Sequence, residues 1–160
     1  MSDVNNDVLV KIRKVGNYQF GKGAGDKLFP DRVKVTFSKR TGRIRHVYLD
    51  GKLLATLKPN DGFFSLTIEG AERLLENGKP NSLWVQVTND VARFVEKGSD
   101  VFAKHIIDAD REIRPMEEVI VVDKDGRVIA VGKAMLSGDE MKTFTRGIAV
   151  KVRRGRIREN

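Results

Sequence analysis

The sequence predicts an α+β N-terminal domain followed by a mainly-β barrel with short helices. Three features predict it: period-two runs in both halves, helical spacing confined to brief stretches, and a polar junction, Lys79-Pro80-Asn81-Ser82, between the halves. The 160 residues, 40% hydrophobic and 32% charged, have the composition of a folded chain with one or two domains. The expected boundaries are 1–79, 80–156 and a basic tail at 157–160.

In the first half, residues 8–12, 32–37, 43–49 and 63–68 alternate apolar and polar and are expected to be strands. Asp50-Gly51 adopts positive dihedral angles readily and should close a hairpin with the run at 52–57. Ala71, Leu74 and Leu75 then recur at helical spacing until Gly78 and Pro80 end the pattern. The expectation is a sheet of four to five strands packed on one helix.

In the second half, residues 83–87 read as a strand, and Thr88 or Asn89 can cap a short helix with Val91, Ala92, Phe94 and Val95 facing inward. That helix should exit at Gly98. Strands are expected at 101–103, 118–122, 127–131 and 148–153, with Asp125-Gly126 as a turn. Ser137 and Glu140 fit a capping box that starts one helical turn through Met141 and Phe144.

The run "GKGAG" at 21–25 matches neither phosphate-binding glycine motif. Its glycines are two apart rather than spaced G-x-G-x-x-G, and Lys27 is followed by Leu28 instead of Ser or Thr. A glycine-permitted turn is the simpler reading. Absence of cysteine excludes disulfides, thiolate zinc sites and cysteine nucleophiles. His46 and His105 are the two histidines, and neither has a supporting constellation that would assign a catalytic residue. Asp123-x-Asp125-Gly126 has the start of a calcium loop but sits between strands, and no acidic ligand closes it at the twelfth position. No metal and no cofactor are expected.

No apolar run reaches the roughly 20 residues that span a bilayer, and the N-terminus lacks a secretory pattern. The expectation is a cytoplasmic protein with no membrane partner. A net charge of +8 favours a polyanion. The cations gather at 32–45 and 142–158, whereas the acids concentrate at 108–125.

From Trp84 onward the pieces "VTNDVARFVEKGSDVFAKHI", "EEVIVVDKDGRVIAVGKAMLSGDEM" and "RGIAVKVRRG" resemble the PUA domain, a pseudobarrel that binds RNA. With "YQFGKGAGDKLFP" and "TGRIRHVYLDGKLLATLKPNDGFFSLTIEGAERLL", the chain is similar to the C-terminal portion of archaeal archaeosine tRNA-guanine transglycosylase, where a small α/β domain precedes PUA. The resemblance omits the catalytic barrel, its aspartates and its zinc cysteines. It implies an archaeal RNA-binding protein without chemistry of its own, with RNA, transfer RNA above all, and a separate tRNA-modifying enzyme as partners. The alternatives are a factor in translation or ribosome assembly, or a small RNA-modifying enzyme.

PUA domains grip RNA with the first helix, the glycine loop after it and the final strand. The resemblance therefore implies an RNA site at Arg93, Lys97, Gly98, Lys104, His105, Lys142, Arg146, Lys151 and Arg153. Phe102 could stack on a base, but in a short strand it is expected in the core, and the arginines of the tail are assigned only nonspecific attraction.

Overall fold

The computed structural model describes residues 1–157 and divides into two compact units, the second beginning at Leu75. Arg158, part of the expected basic tail, lies outside the described residues.

The first unit runs β1 (Ser2–Asp3), α1 (Asn6–Phe20), α2 (Ala24–Leu28), β2 (Lys34–Phe37), β3 (Ile44–Leu49), β4 (Lys52–Leu57), β5 (Phe64–Leu66) and α3 (Ile68–Arg73). Its strands form one antiparallel sheet in sequence order. The expected strand at 8–12 is instead part of a 15-residue helix. The Asn5 side chain accepts from the Val8 amide and starts that helix. Leu9, Ile12, Gly16 and Phe20, three and four residues apart, are its buried positions. A five-residue window shows the alternation of 8–12 but not this longer stripe.

The glycine run is a helix–helix elbow. Gly21 closes α1 at φ 109° with its amide on the Asn17 carbonyl, and Gly23 opens α2 at φ 82°. A Cβ at Gly25 would overlap the Arg13 carbonyl, and one at Gly16 would stand 3.0 Å from the Gly25 Cα. The two helices touch through backbone that no side chain separates. Asp50 and Gly51 take φ 51° and 80°, forming the expected tight turn between β3 and β4.

The second unit opens with a hairpin, β6 (Leu75–Glu76) and β7 (Lys79–Pro80), turned by Asn77 and Gly78 at φ 52° and 79°. The first two residues of the expected junction are thus strand. There follow β8 (Trp84–Val87), α4 (Asn89–Val95), β9 (Val101–Phe102), a 3-10 turn (Ala103–His105) and β10 (Ile106–Ala109). The last elements are β11 (Glu118–Val122), β12 (Val128–Ala134), α5 (Gly138–Thr143) and β13 (Ile148–Gly155). Six strands lie in the order β10-β8-β11-β12-β13-β9, with β8 and β11 parallel and every other pair antiparallel. The edge strands β9 and β10 are joined by the 3-10 turn, which leaves a nearly closed pseudobarrel. All five residues of β11 are buried, the pattern of a strand covered on both faces. The Ser137–Glu140 capping box is formed. It starts α5, which buries Met141 and leaves Phe144 exposed.

Candidate nucleic-acid interface

Segment 96–102, which carries Gly98, is laid along β13. Gly155 packs so closely that a Cβ there would overlap the Glu96 carbonyl and stand 2.8 Å from the Gly98 nitrogen. Further along, the Val152 amide donates to Asp100 at 2.9 Å, Val101 pairs with Val150, and Phe102 with Ile148. At the far end the Ala103 amide donates to the Gly147 carbonyl, so Arg146 and Lys104 flank one backbone contact. The chain therefore brings helix α4, the glycine loop and the last strand together on one side of the pseudobarrel.

Gly98 has φ 112°, a region L side chains rarely enter, and nothing lies within 4 Å of where its Cβ would stand. Its free side faces open space rather than a packed neighbour. Beside it a shallow cleft of about 140 Å³ is lined by Val91, Phe94, Ser99, Asp100, Phe102 and His105, among others.

Two aromatic residues differ from expectation. Phe94, expected inward, is 49% exposed, and Phe102, expected in the core, is 45% exposed. Ala92 and Val95 already fill the inward stripe of the seven-residue α4, which leaves Phe94 outside. Phe102 stands at the end of a two-residue edge strand, opposite Ile148, which is also exposed. Phe94 and Phe102 both line the cleft and form an apolar ledge along it.

The expected cations divide into two groups. Lys97, Lys104, Arg146 and Lys151 are exposed and have no ion partner among the described residues. Arg93 is exposed and places its guanidinium 4.8 Å from the centre of the Phe94 ring. Arg153 and Lys142 are engaged within the protein. The Arg153 guanidinium donates to both oxygens of Glu118, at 2.7 and 2.5 Å, and the Glu118 side chain is only 2% exposed. A β-bulge opposite Val131 and Gly132 leaves Arg153 without a cross-strand partner on β12. The Lys142 ammonium stands 3.0 Å from Asp108 and holds that carboxyl below its ordinary range.

Lys133, which the sequence reading passed over, is exposed on β12 directly opposite Lys151. Alternation along β12 places it on the outer face, but no charge run draws attention to it. Acids also border the loop: Glu96 pairs with Arg127 at 3.6 Å, and Asp90 lies beside Thr88 and His105. The neighbouring Thr88 hydroxyl first, then the residue's own backbone amide and the charge of His105, keep the Asp90 carboxyl below its usual value. Among the described residues no cluster of His, Asp or Glu could hold a metal, and no helix is long and apolar enough to cross a membrane.

The six-stranded pseudobarrel has the fold of the PUA domain, and residues 84–156 match the PUA domain family. Residues 10–81 match the patch-forming domain C2 of tRNA-guanine transglycosylase. Over both domains the chain is similar to archaeal tRNA-guanine(15) transglycosylases. It is 44% identical over 150 residues to that protein of Methanothermobacter thermautotrophicus, and 48% identical over 149 residues to that of Thermoplasma volcanium. These matches cover 93% and 92% of this chain but 23% of each relative. Among solved structures, a hypothetical protein of Pyrococcus horikoshii aligns with TM-score 0.73 and 26% identity over 95% of this chain and 92% of its own. A conserved PUA domain protein of Thermoplasma acidophilum shares the fold, with TM-score 0.73 and 19% identity over 96% and 92% of the two chains.

Proposed function

We propose that this chain is an RNA-binding accessory that presents structured RNA, specifically the acceptor end of transfer RNA, to a separate modification enzyme. The observation that carries this reading is the open side of Gly98 beside exposed Phe94 and Phe102, in a rim of cations that lack protein partners. Glycine at this point lets a sugar-phosphate strand approach the main chain. Unpaired bases at the end of the strand stack on the phenylalanine ledge, and every base offers a face for such stacking. Lys97, Lys104, Arg146 and Lys151, joined by Lys133, hold phosphates and fix the register without reading sequence.

Arg153 acts one step back from the RNA. By neutralising Glu118 it holds β13 against β11 and fixes the bulge that sets the line of the last strand. Lys142 likewise serves Asp108 first. The similarity to tRNA-guanine(15) transglycosylases supports transfer RNA as the ligand, and the matched region supports a role that leaves base exchange to a partner.

The test is binding of the purified chain to transfer RNA with and without its terminal CCA, read by fluorescence anisotropy. Trimming is expected to weaken binding by about tenfold, which corresponds to about 1.4 kcal/mol and the lower end of the stacking contribution of one base. Equal affinity before and after trimming contradicts end recognition.

A further inference from the structure

The first unit carries a second basic feature that the proposed interface does not use. The turns β2–β3 and β4–β5 border an open groove of about 690 Å³, lined on one side by Arg40, Arg43 and Arg45 and on the other by Lys58, Asn60 and Gly62. Several other cations of this unit are paired. Arg32 forms a two-point pair with Asp50, Lys34 stands 3.7 Å from Asp3, and Arg13 reaches Asp26 and Asp31. Lys58 is 3.1 Å from Asp61, the acidic group at the groove's rim. Arg40, Arg43 and Arg45, by contrast, have no ion partner among the described residues.

The protein therefore concentrates three unpaired guanidinium groups in one concave place while pairing most of the unit's other arginines. Their positions are fixed by the sheet. The Ser38 amide donates to the Arg43 carbonyl at 2.7 Å, the Gly42 amide to the Ser38 carbonyl at 2.8 Å, and Gly42 turns the chain at φ 72°. On the opposite wall the Lys58 amide bonds the Phe63 carbonyl and the Gly62 amide bonds the Lys58 carbonyl. The groove is thus built between two hydrogen-bonded turns. Where its wall leaves Gly62, Phe63 stacks on Tyr18 with the rings 6° from parallel, and Tyr18 is 81% exposed.

We infer that this groove is a second RNA-binding site, in which Arg40, Arg43 and Arg45 hold consecutive backbone phosphates. Guanidinium forks match phosphate oxygens two at a time, and the concave wall focuses their field. The exposed Tyr18, stacked on the residue that follows Gly62, suits a nucleotide chain better than an acidic polypeptide, since bases stack and carboxylates do not. The site does not require that the second unit recognise a CCA end.

The experiment compares the full chain with its Arg40→Gln, Arg43→Gln, Arg45→Gln triple variant, using transfer RNA already trimmed of its CCA. Neutralising three phosphate contacts is expected to make the slope of log affinity against log salt less negative by about two to three. Thermal melting should be unchanged, since none of the three side chains is spent on an internal ion pair. A Lys104→Gln, Arg146→Gln variant separates the two sites: it should diminish discrimination between intact and trimmed RNA, whereas the triple variant should leave that discrimination in place. An unchanged salt slope in the triple variant overturns the groove. So does competition by polyglutamate as effective as that by RNA of equal charge, which would identify an acidic protein as the occupant.

Discussion

Replacing Arg153 with methionine is expected to destabilise the second unit through a carboxylate that stays where it is. The Glu118 side chain is 2% exposed and receives two hydrogen bonds from Arg153. Removing one partner of a buried pair costs about 3–5 kcal/mol, because the remaining charge keeps its desolvation penalty and loses its compensation. The Arg153 side chain is 41% exposed, so water screens the pair from one side and the lower value, about 3 kcal/mol, applies. For a unit of this size about 4–8 °C of melting temperature is lost per kcal/mol, giving a fall of about 12–24 °C. Trp84, the sole tryptophan, lies on β8 opposite Ile120 and reports on this unit directly. Urea titration followed by its fluorescence measures the loss. The double variant Glu118→Leu with Arg153→Met removes both charges and should recover most of the stability. A single-variant cost below about 1 kcal/mol, or no recovery in the double variant, would refute the reasoning and make the contact an ordinary surface ion pair.

Further outcomes follow from the glycines and from His46. Gly98→Ala should cost about 1–2 kcal/mol through its positive φ alone, since the added methyl meets no atom within 4 Å, while Gly155→Ala should cost more because its Cβ overlaps the Glu96 backbone. Trp84 fluorescence in urea compares the two. Gly25→Ala should loosen α1 from α2 and lower the helical signal of the first unit on heating, whereas Gly42→Ala, with open space at its Cβ, should lose only the strain of its φ. Burial, and after it the charge of Arg45, depresses the pKa of His46. The unfolded chain therefore binds the additional proton more readily. The contribution of His46 to first-unit stability is fully present above the unfolded value of about 6.5 and is lost as pH falls through the folded one. His46→Gln should flatten that pH dependence, as measured by thermal melts between pH 5 and 8.

Most strands were legible because alternation is a short-range signal: β11 begins and ends at the expected residues, and Asp50-Gly51 and Ser137–Glu140 carry their geometry in adjacent side chains. The helix α1 was hidden because residues 8–12 satisfy both periods at once, and only the stripe from Leu9 to Phe20 decides between them. The grouping of α4, the Gly98 loop and β13 followed from family resemblance. Its physical basis, Gly155 packing beneath Glu96 and Gly98, joins residues far apart in the sequence and has no local sign. For the same reason the chemistry of the charges was not readable. Arg153 and Lys151 look alike on an alternating strand, yet one is bonded to buried Glu118 and the other stands exposed beside Lys133. Helical spacing points Phe94 inward and a strand position favours the core for Phe102, but the short elements that carry them leave both exposed.

The most direct measurement is ultraviolet crosslinking of bound transfer RNA to the full chain, with the attached peptides identified by mass spectrometry. Crosslinks at Phe94, Phe102 or His105, accompanied by others within residues 146–151, are the predicted result. Saturating RNA that leaves both segments unlabelled while attaching to α5 and β10 would contradict the account.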